Sequence, residues 1–107
     1  MSNVRTWIVI AAVALLATAA QAAGSDGQPV YTSKCQMCHG ADGAGKTPMG
    51  AKLNIADLRS DAVQNLSDAD LVKVITAGKN KMQGYDGKLT KQQISDVAAY
   101  VRALKKK

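Results

Sequence analysis

The plainest pattern lies near the C-terminal end of the chain. Ile94, Val97, Val101 and Leu104 recur at the three- and four-residue spacing that lines one face of an α-helix. Thr90 and Gln93 stand ahead of that face as a capping-box pair, and Leu89 can staple onto Ile94 across the cap. The same logic occurs once before. Ser67 and Asp70 resemble a box with Asp in place of Glu, Leu66 can staple onto Leu71, and Leu71, Val74 and Ile75 form the apolar stripe. Gly78 is a good terminator for that helix. A further helix is predicted to begin near Pro29, whose ring presets φ for a first helical turn, with Ser25 or Asp26 as its cap. It runs through Val30, Tyr31 and Lys34. Residues 40–65 are broken by glycines and Pro48 and read as a long irregular stretch, with one short helical turn around residues 57–63. No stretch looks strand-like. The pattern predicts an all-α chain of three main helices.

The N-terminal pattern is of another kind. Arg5 gives one positive charge, residues 7–16 are wholly apolar, and Ala20-Gln21-Ala22 is an Ala-x-Ala cleavage pattern. These are the three regions of a secretory signal peptide, predicted to cover residues 1–22 and to leave one domain at 23–107. The rival is an uncleaved membrane anchor, which needs about 20 mostly apolar residues. The uncharged residues 6–25 just reach that length, but their second half is Ala, Thr and Gln. Cleavage is favoured, and either reading exports the domain.

Composition then changes the picture. Taking 22 residues from 107 leaves 85, with no Phe, no Trp and only Tyr31, Tyr85 and Tyr100 as aromatics. A core this thin ordinarily needs a staple or a cofactor. Losing Arg5 takes the basic residues from 14 to 13 against 8 acidic ones, a net +5. Such an excess steers a protein towards acidic partners. Nucleic acid is excluded by the exported compartment and by the lack of a recognition motif. The Lys105-Lys106-Lys107 tail reads as a solvated end.

The chemistry sits in Cys35-Gln36-Met37-Cys38-His39, which uses both cysteines and the single histidine. This spacing is the attachment signal for a covalent c-type haem. Thiols about one helical turn apart can each add to one of two porphyrin vinyl groups, and the adjacent imidazole becomes an axial iron ligand. A tetrahedral zinc site lacks its remaining ligands. A thioredoxin-like pair should sit beside a βαβ pattern, which is missing. A structural disulfide would leave His39 unexplained.

These residues together resemble a small bacterial class I cytochrome c across the whole of 23–107. Gly27-Gln28-Pro29-Val30-Tyr31 is similar to the family's opening, Cys35 to Gly40 to its haem motif, residues 79–90 to its axial methionine loop, and residues 94–104 to its C-terminal helix. The resemblance implies three helices wrapped around one haem c, with Met82 opposite His39 as the second iron ligand. Met37 shares the attachment helix, and Met49 lies in the segment that resembling proteins pack on the histidine side. The bland reading of any lone Met is gap-filling in a core. Gln83 departs from the proline that often follows the ligand in the family, which implies a less stiff loop. The resemblance also implies that the Pro48 carbonyl accepts a hydrogen bond from His39 Nδ1, beside the equal reading of an ordinary turn proline. Tyr31 and Tyr100 are expected where the terminal helices cross, and Tyr85 over the haem or exposed.

The implied function is periplasmic one-electron transfer by a monomer that is not an enzyme. The alternative location is the inner membrane, held there by an uncleaved signal. Its partners would be redox proteins with acidic docking patches, such as a membrane oxidase, a quinol:cytochrome c reductase or a dehydrogenase, met through Lys34, Lys79 and Lys81. Two alternatives stay open: a haem subunit of a larger dehydrogenase, and an open-site haem protein with peroxidase-like or gas-binding activity if Met82 is not a ligand. The signal-peptide reading is tested by the exported protein's N-terminus, expected at Ala23 or within a residue or two. An intact Met1 on membrane-bound protein would reverse it in favour of the anchor.

Overall fold

The structure is a computed structural model that describes residues 25–105, so the predicted signal peptide at 1–22 and the end of the lysine tail lie outside the described residues. The described part opens with one unbroken helical run. A 3-10 turn at Ser25–Gly27 leads into α1 (Gln28–Val30), a π-helical stretch at Tyr31–Cys35, and α2 (Gln36–His39). Pro29 sits in the first turn of α1, as its missing N–H allows. The N-cap is Gly27, so neither Ser25 nor Asp26 caps this helix; the 3-10 turn leads into it instead. The π turn is closed by the Gln36 N–H, which donates to the Tyr31 carbonyl five residues back. Such widened turns often fall at functional sites.

The next stretch is less irregular than its glycines suggest. Thr47 caps α3 (Pro48–Leu53), its hydroxyl accepting from the Gly50 N–H at 2.8 Å, with Pro48 in the first turn. A short α4 (Asp61–Gln64) lies near the helical turn expected at 57–63. The two long helices follow with the predicted caps. Ser67 accepts from the Asp70 N–H at the start of α5 (Asp68–Ala77). Thr90 and Gln93 bond reciprocally, at 3.0 and 2.8 Å, at the start of α6 (Lys91–Ala103).

The core is small. Ile94, Val97, Ala98 and Val101 of α6 are buried, as are Leu71 and Ile75 of α5, Tyr31 and Tyr85, and Leu104 packs in half-buried. Val72 also packs against this core, and Val74 of the expected stripe is half-buried. α6 lies against the opening 3-10 turn and α1, and also against α5. The first contact is very close: a Cβ on buried Gly27 would overlap the Asp96 carbonyl and the Val97 backbone. Nearby, the rings of Tyr31 and Tyr100 meet at a centroid distance of 4.9 Å and 43° between planes, where the terminal helices were expected to cross.

Polar side chains close the loops onto this frame. Gln64 Nε2 donates to the carbonyls of Leu58 at 2.8 Å and Val101 at 2.9 Å. Arg102 donates to the Gln64 and Leu66 carbonyls, each at 2.7 Å, and pairs with Asp68. Among the described residues no helix is long and apolar enough to cross a membrane.

Gly27→Ala should destabilise the holoprotein by about 1–3 kcal/mol, the cost of forcing an extra methyl into a filled contact. Urea unfolding followed by circular dichroism measures this, with the exposed Gln28→Ala as comparison; equal midpoints for both would show that the helix crossing has room to relax.

Candidate haem site

Cys35 ends the π-helical stretch, and Cys38 and His39 belong to α2. A helix that stops here leaves its last carbonyls without intrahelical partners. Those of Gln36, Cys38 and His39 find donors. The Gly40 N–H reaches the Gln36 carbonyl, the Thr47 hydroxyl reaches that of Cys38, and the Gly45 N–H reaches that of His39, each at 2.8 Å. The buried Tyr31 hydroxyl donates to the Gly40 carbonyl at 2.6 Å. The motif is thus fastened to α3 through Thr47 and to the core through Tyr31. Thr47 was not expected to take part, although Thr before Pro is a legible N-cap signal.

Both cysteines are free and half-buried. Burial, reinforced by Cys38, pushes the Cys35 thiol up to about 11, so it stays protonated at neutral pH. Metal thiolate chemistry and disulfide exchange need the anion, so this environment favours neither. His39 is half-buried, and burial holds its imidazole below the usual histidine range. The neutral ring that results is the form that ligates a metal. Its Nδ1 is buried with no hydrogen-bond partner, so the bond expected to the Pro48 carbonyl is not made here; Pro48 is the exposed first residue of α3.

Met82 lies in the loop between α5 and α6. Lys79 and Met82 pair in a short antiparallel bridge, amide to carbonyl at 3.1 and 2.9 Å, across a turn that puts Asn80 in the left-handed region. The loop begins at Gly78 with φ +84°, where a Cβ would stand 2.6 Å from the Met82 carbonyl oxygen. Its far end folds back on α5: the Tyr85 and Asp86 amides donate to the Ile75 and Thr76 carbonyls at 2.9 and 3.1 Å. Met82 is half-buried against the core, as Cys35 is. Met37 is 76% exposed and Met49 39% exposed.

Tyr85 does not take the exposed position that was one of its two expected places. It is neither exposed nor free, being 8% exposed with its hydroxyl 3.1 Å from the Lys34 carbonyl it donates to. The same oxygen accepts from Gln83 Nε2 at 3.2 Å, and Lys88 Nζ donates to Gln83 Oε1. Sequence offered no signal for a contact spanning 51 positions.

The donor set fits a covalent haem better than a bare ion. It offers two half-buried thiols, an imidazole with an orphaned ring nitrogen whose protonation burial disfavours, and a half-buried thioether. Among the described residues no three His, Cys, Asp or Glu side chains gather as a metal cluster.

Comparison with known proteins agrees. Residues 22–101 match the family described as cytochrome c oxidase, cbb3-type, subunit III. Cytochrome c6 of Thermosynechococcus vestitus is 36% identical over 98 residues, covering 88% of this chain and 82% of the relative. Among solved structures, the KustC0563 c-type cytochrome superposes with a TM-score of 0.69 at 29% identity, covering 75% of this chain and 98% of that one. Cytochrome c6 from the diatom Phaeodactylum tricornutum gives 0.60 at 28% identity, with 76% and 92% covered.

The chain belongs to the cytochrome c family and is a small monohaem class I c-type cytochrome. It carries one covalently bound haem c and acts in electron transport, and its helices form the all-α fold of that class.

Because attachment is covalent, haem should stay with the chain through acid–acetone extraction, and Cys35→Ala should keep at most one thioether. His39→Ala should give no stable holoprotein when matured in a host with haem-attachment machinery. Mass spectrometry settles both points: a bare-chain mass for the wild type would contradict the assignment of Cys35 and Cys38.

Proposed function

We propose that this cytochrome is a periplasmic electron carrier whose haem iron is held by His39 on one side and Met82 on the other. Haem iron, when bound, gains or loses one electron, with a potential that ligands and burial tune over about 0.8 V among haem proteins. The chain's own part is to hold ligands still and to keep other molecules out. His39 is suited to the first task because burial keeps it neutral. A buried Nδ1 needs an acceptor, and we assign that part in the loaded protein to the Pro48 carbonyl.

The observation that carries the reading is how the Met82 loop is fastened. It is pinned by the Lys79–Met82 bridge at one end and by two amides bonded to the last carbonyls of α5 at the other. A soft thioether on so constrained a segment makes a lasting ligand, and a thioether raises the potential relative to nitrogen donors. A filled sixth position leaves no place for a substrate, which favours a carrier over an enzyme. The exposed Lys34, Lys79 and Lys81 suit acidic docking patches on redox partners such as a membrane oxidase, a quinol:cytochrome c reductase or a dehydrogenase, in contacts that salt screens. A second reading draws on the match to a family named for an oxidase subunit: the chain serves as the haem subunit of a larger complex.

Oxidised wild-type protein should show the weak near-infrared sulfur-to-iron band and bind carbon monoxide poorly when reduced. Met82→Ala should lose the band, lower the potential and bind carbon monoxide quickly. Equal carbon monoxide binding by wild type and variant would mean an open sixth site, and the gas-binding or peroxidase-like reading would replace electron carriage.

A further inference from the structure

We infer that Tyr85 and Gln83 form a latch that ties the Met82 loop to the haem-attachment run and sets how readily the sixth ligand lets go. This rests on Met82 being that ligand. The backbone bonds of the loop join it to its own helix, α5, through the carbonyls of Ile75 and Thr76. They do not reach the segment that bears the attachment cysteines. The Tyr85 hydroxyl does, donating to the carbonyl of Lys34, the residue next to Cys35. Gln83 follows Met82 directly and steadies the same hydroxyl from the loop side, donating to it at 3.2 Å. Lys88, on the outgoing arm of the loop, holds the other end of the Gln83 amide. The path from ligand to attachment motif is therefore Met82, Gln83, Tyr85, Lys34, Cys35.

The position of Gln83 makes this more than a local contact. Resembling proteins often place a proline after the ligand, which stiffens the loop by fixing φ. Here the residue is Gln83, and its amide spans from the loop to a buried phenol. A hydrogen-bonded strut takes the place of ring stiffness. A strut of this kind opens reversibly, so the loop's closed population depends on it. An outside ligand reaches the iron only when Met82 has left, so its entry rate reports the open population.

The test uses oxidised holoprotein and cyanide as the probe, with entry followed by stopped-flow absorbance. Tyr85→Phe keeps the buried ring and removes the hydroxyl; Gln83→Ala changes an exposed side chain and tolerates folding in any case. Each should keep the near-infrared sulfur band while cyanide enters about tenfold faster, equal to about 1.4 kcal/mol, the scale of one lost hydrogen bond. The double variant should be no faster than Tyr85→Phe alone, since both act through one oxygen. Val97→Ala, which weakens the buried core at α6, should lower the melting midpoint and leave cyanide entry at the wild-type rate. Wild-type entry rates in both latch variants with the band intact, or accelerations that multiply in the double variant, would overturn the latch alone. A wild type without the band that takes up cyanide at once would instead remove Met82 as ligand, and the latch with it.

Discussion

Tyr31 joins the two halves of this protein. Its ring is 1% exposed and meets Tyr100 of α6, while its hydroxyl holds the carbonyl of Gly40 just past the haem motif. The aromatic pair fixes where the terminal helices cross, and the hydrogen bond fixes where the attachment run stops. Burial also pushes the phenol well above its ordinary range, so it remains a donor at any physiological pH. Gly27 makes the arrangement possible by letting the opening turn lie against the Asp96 carbonyl. Without that approach, Tyr31 would not reach its place in the core.

Around this joint, a thin aliphatic core is supplemented by hydrogen bonds from side chains to backbone. Thr47, Gln64, Arg102 and Tyr85 each spend their polar atoms on carbonyls far away in sequence. Loops are ordinarily the least stable parts of a domain. With Met82 as the proposed ligand, the loops have to hold it steady, and a core of so few large side chains offers little surface to press them against. Directed bonds to carbonyls do that work without bulk. The arrangement suits electron transfer, in which little around the iron should move when an electron arrives or leaves.

The sequence alone determined the chemistry and most of the helices. Cys35, Cys38 and His39 declare covalent haem because the spacing is itself the reaction geometry, contained within about one helical turn. Ser67 and Thr90 announced their helices for the same reason, since a cap acts on an N–H three residues away. α3 was missed although Thr47 and Pro48 carry a cap signal, because the surrounding glycines argued for a loop. Tertiary structure decided what no local pattern encodes. Tyr85 is buried and bonded to Lys34 rather than exposed, and Thr47 is bound to Cys38 as well as capping α3. The unpartnered Nδ1 of His39 likewise appears only once the chain is packed. Caps and apolar stripes are energies between neighbours a turn apart, so they are written in order along the chain. Pairings across 9 or 51 positions depend on how helices cross, and that is set by the whole core at once.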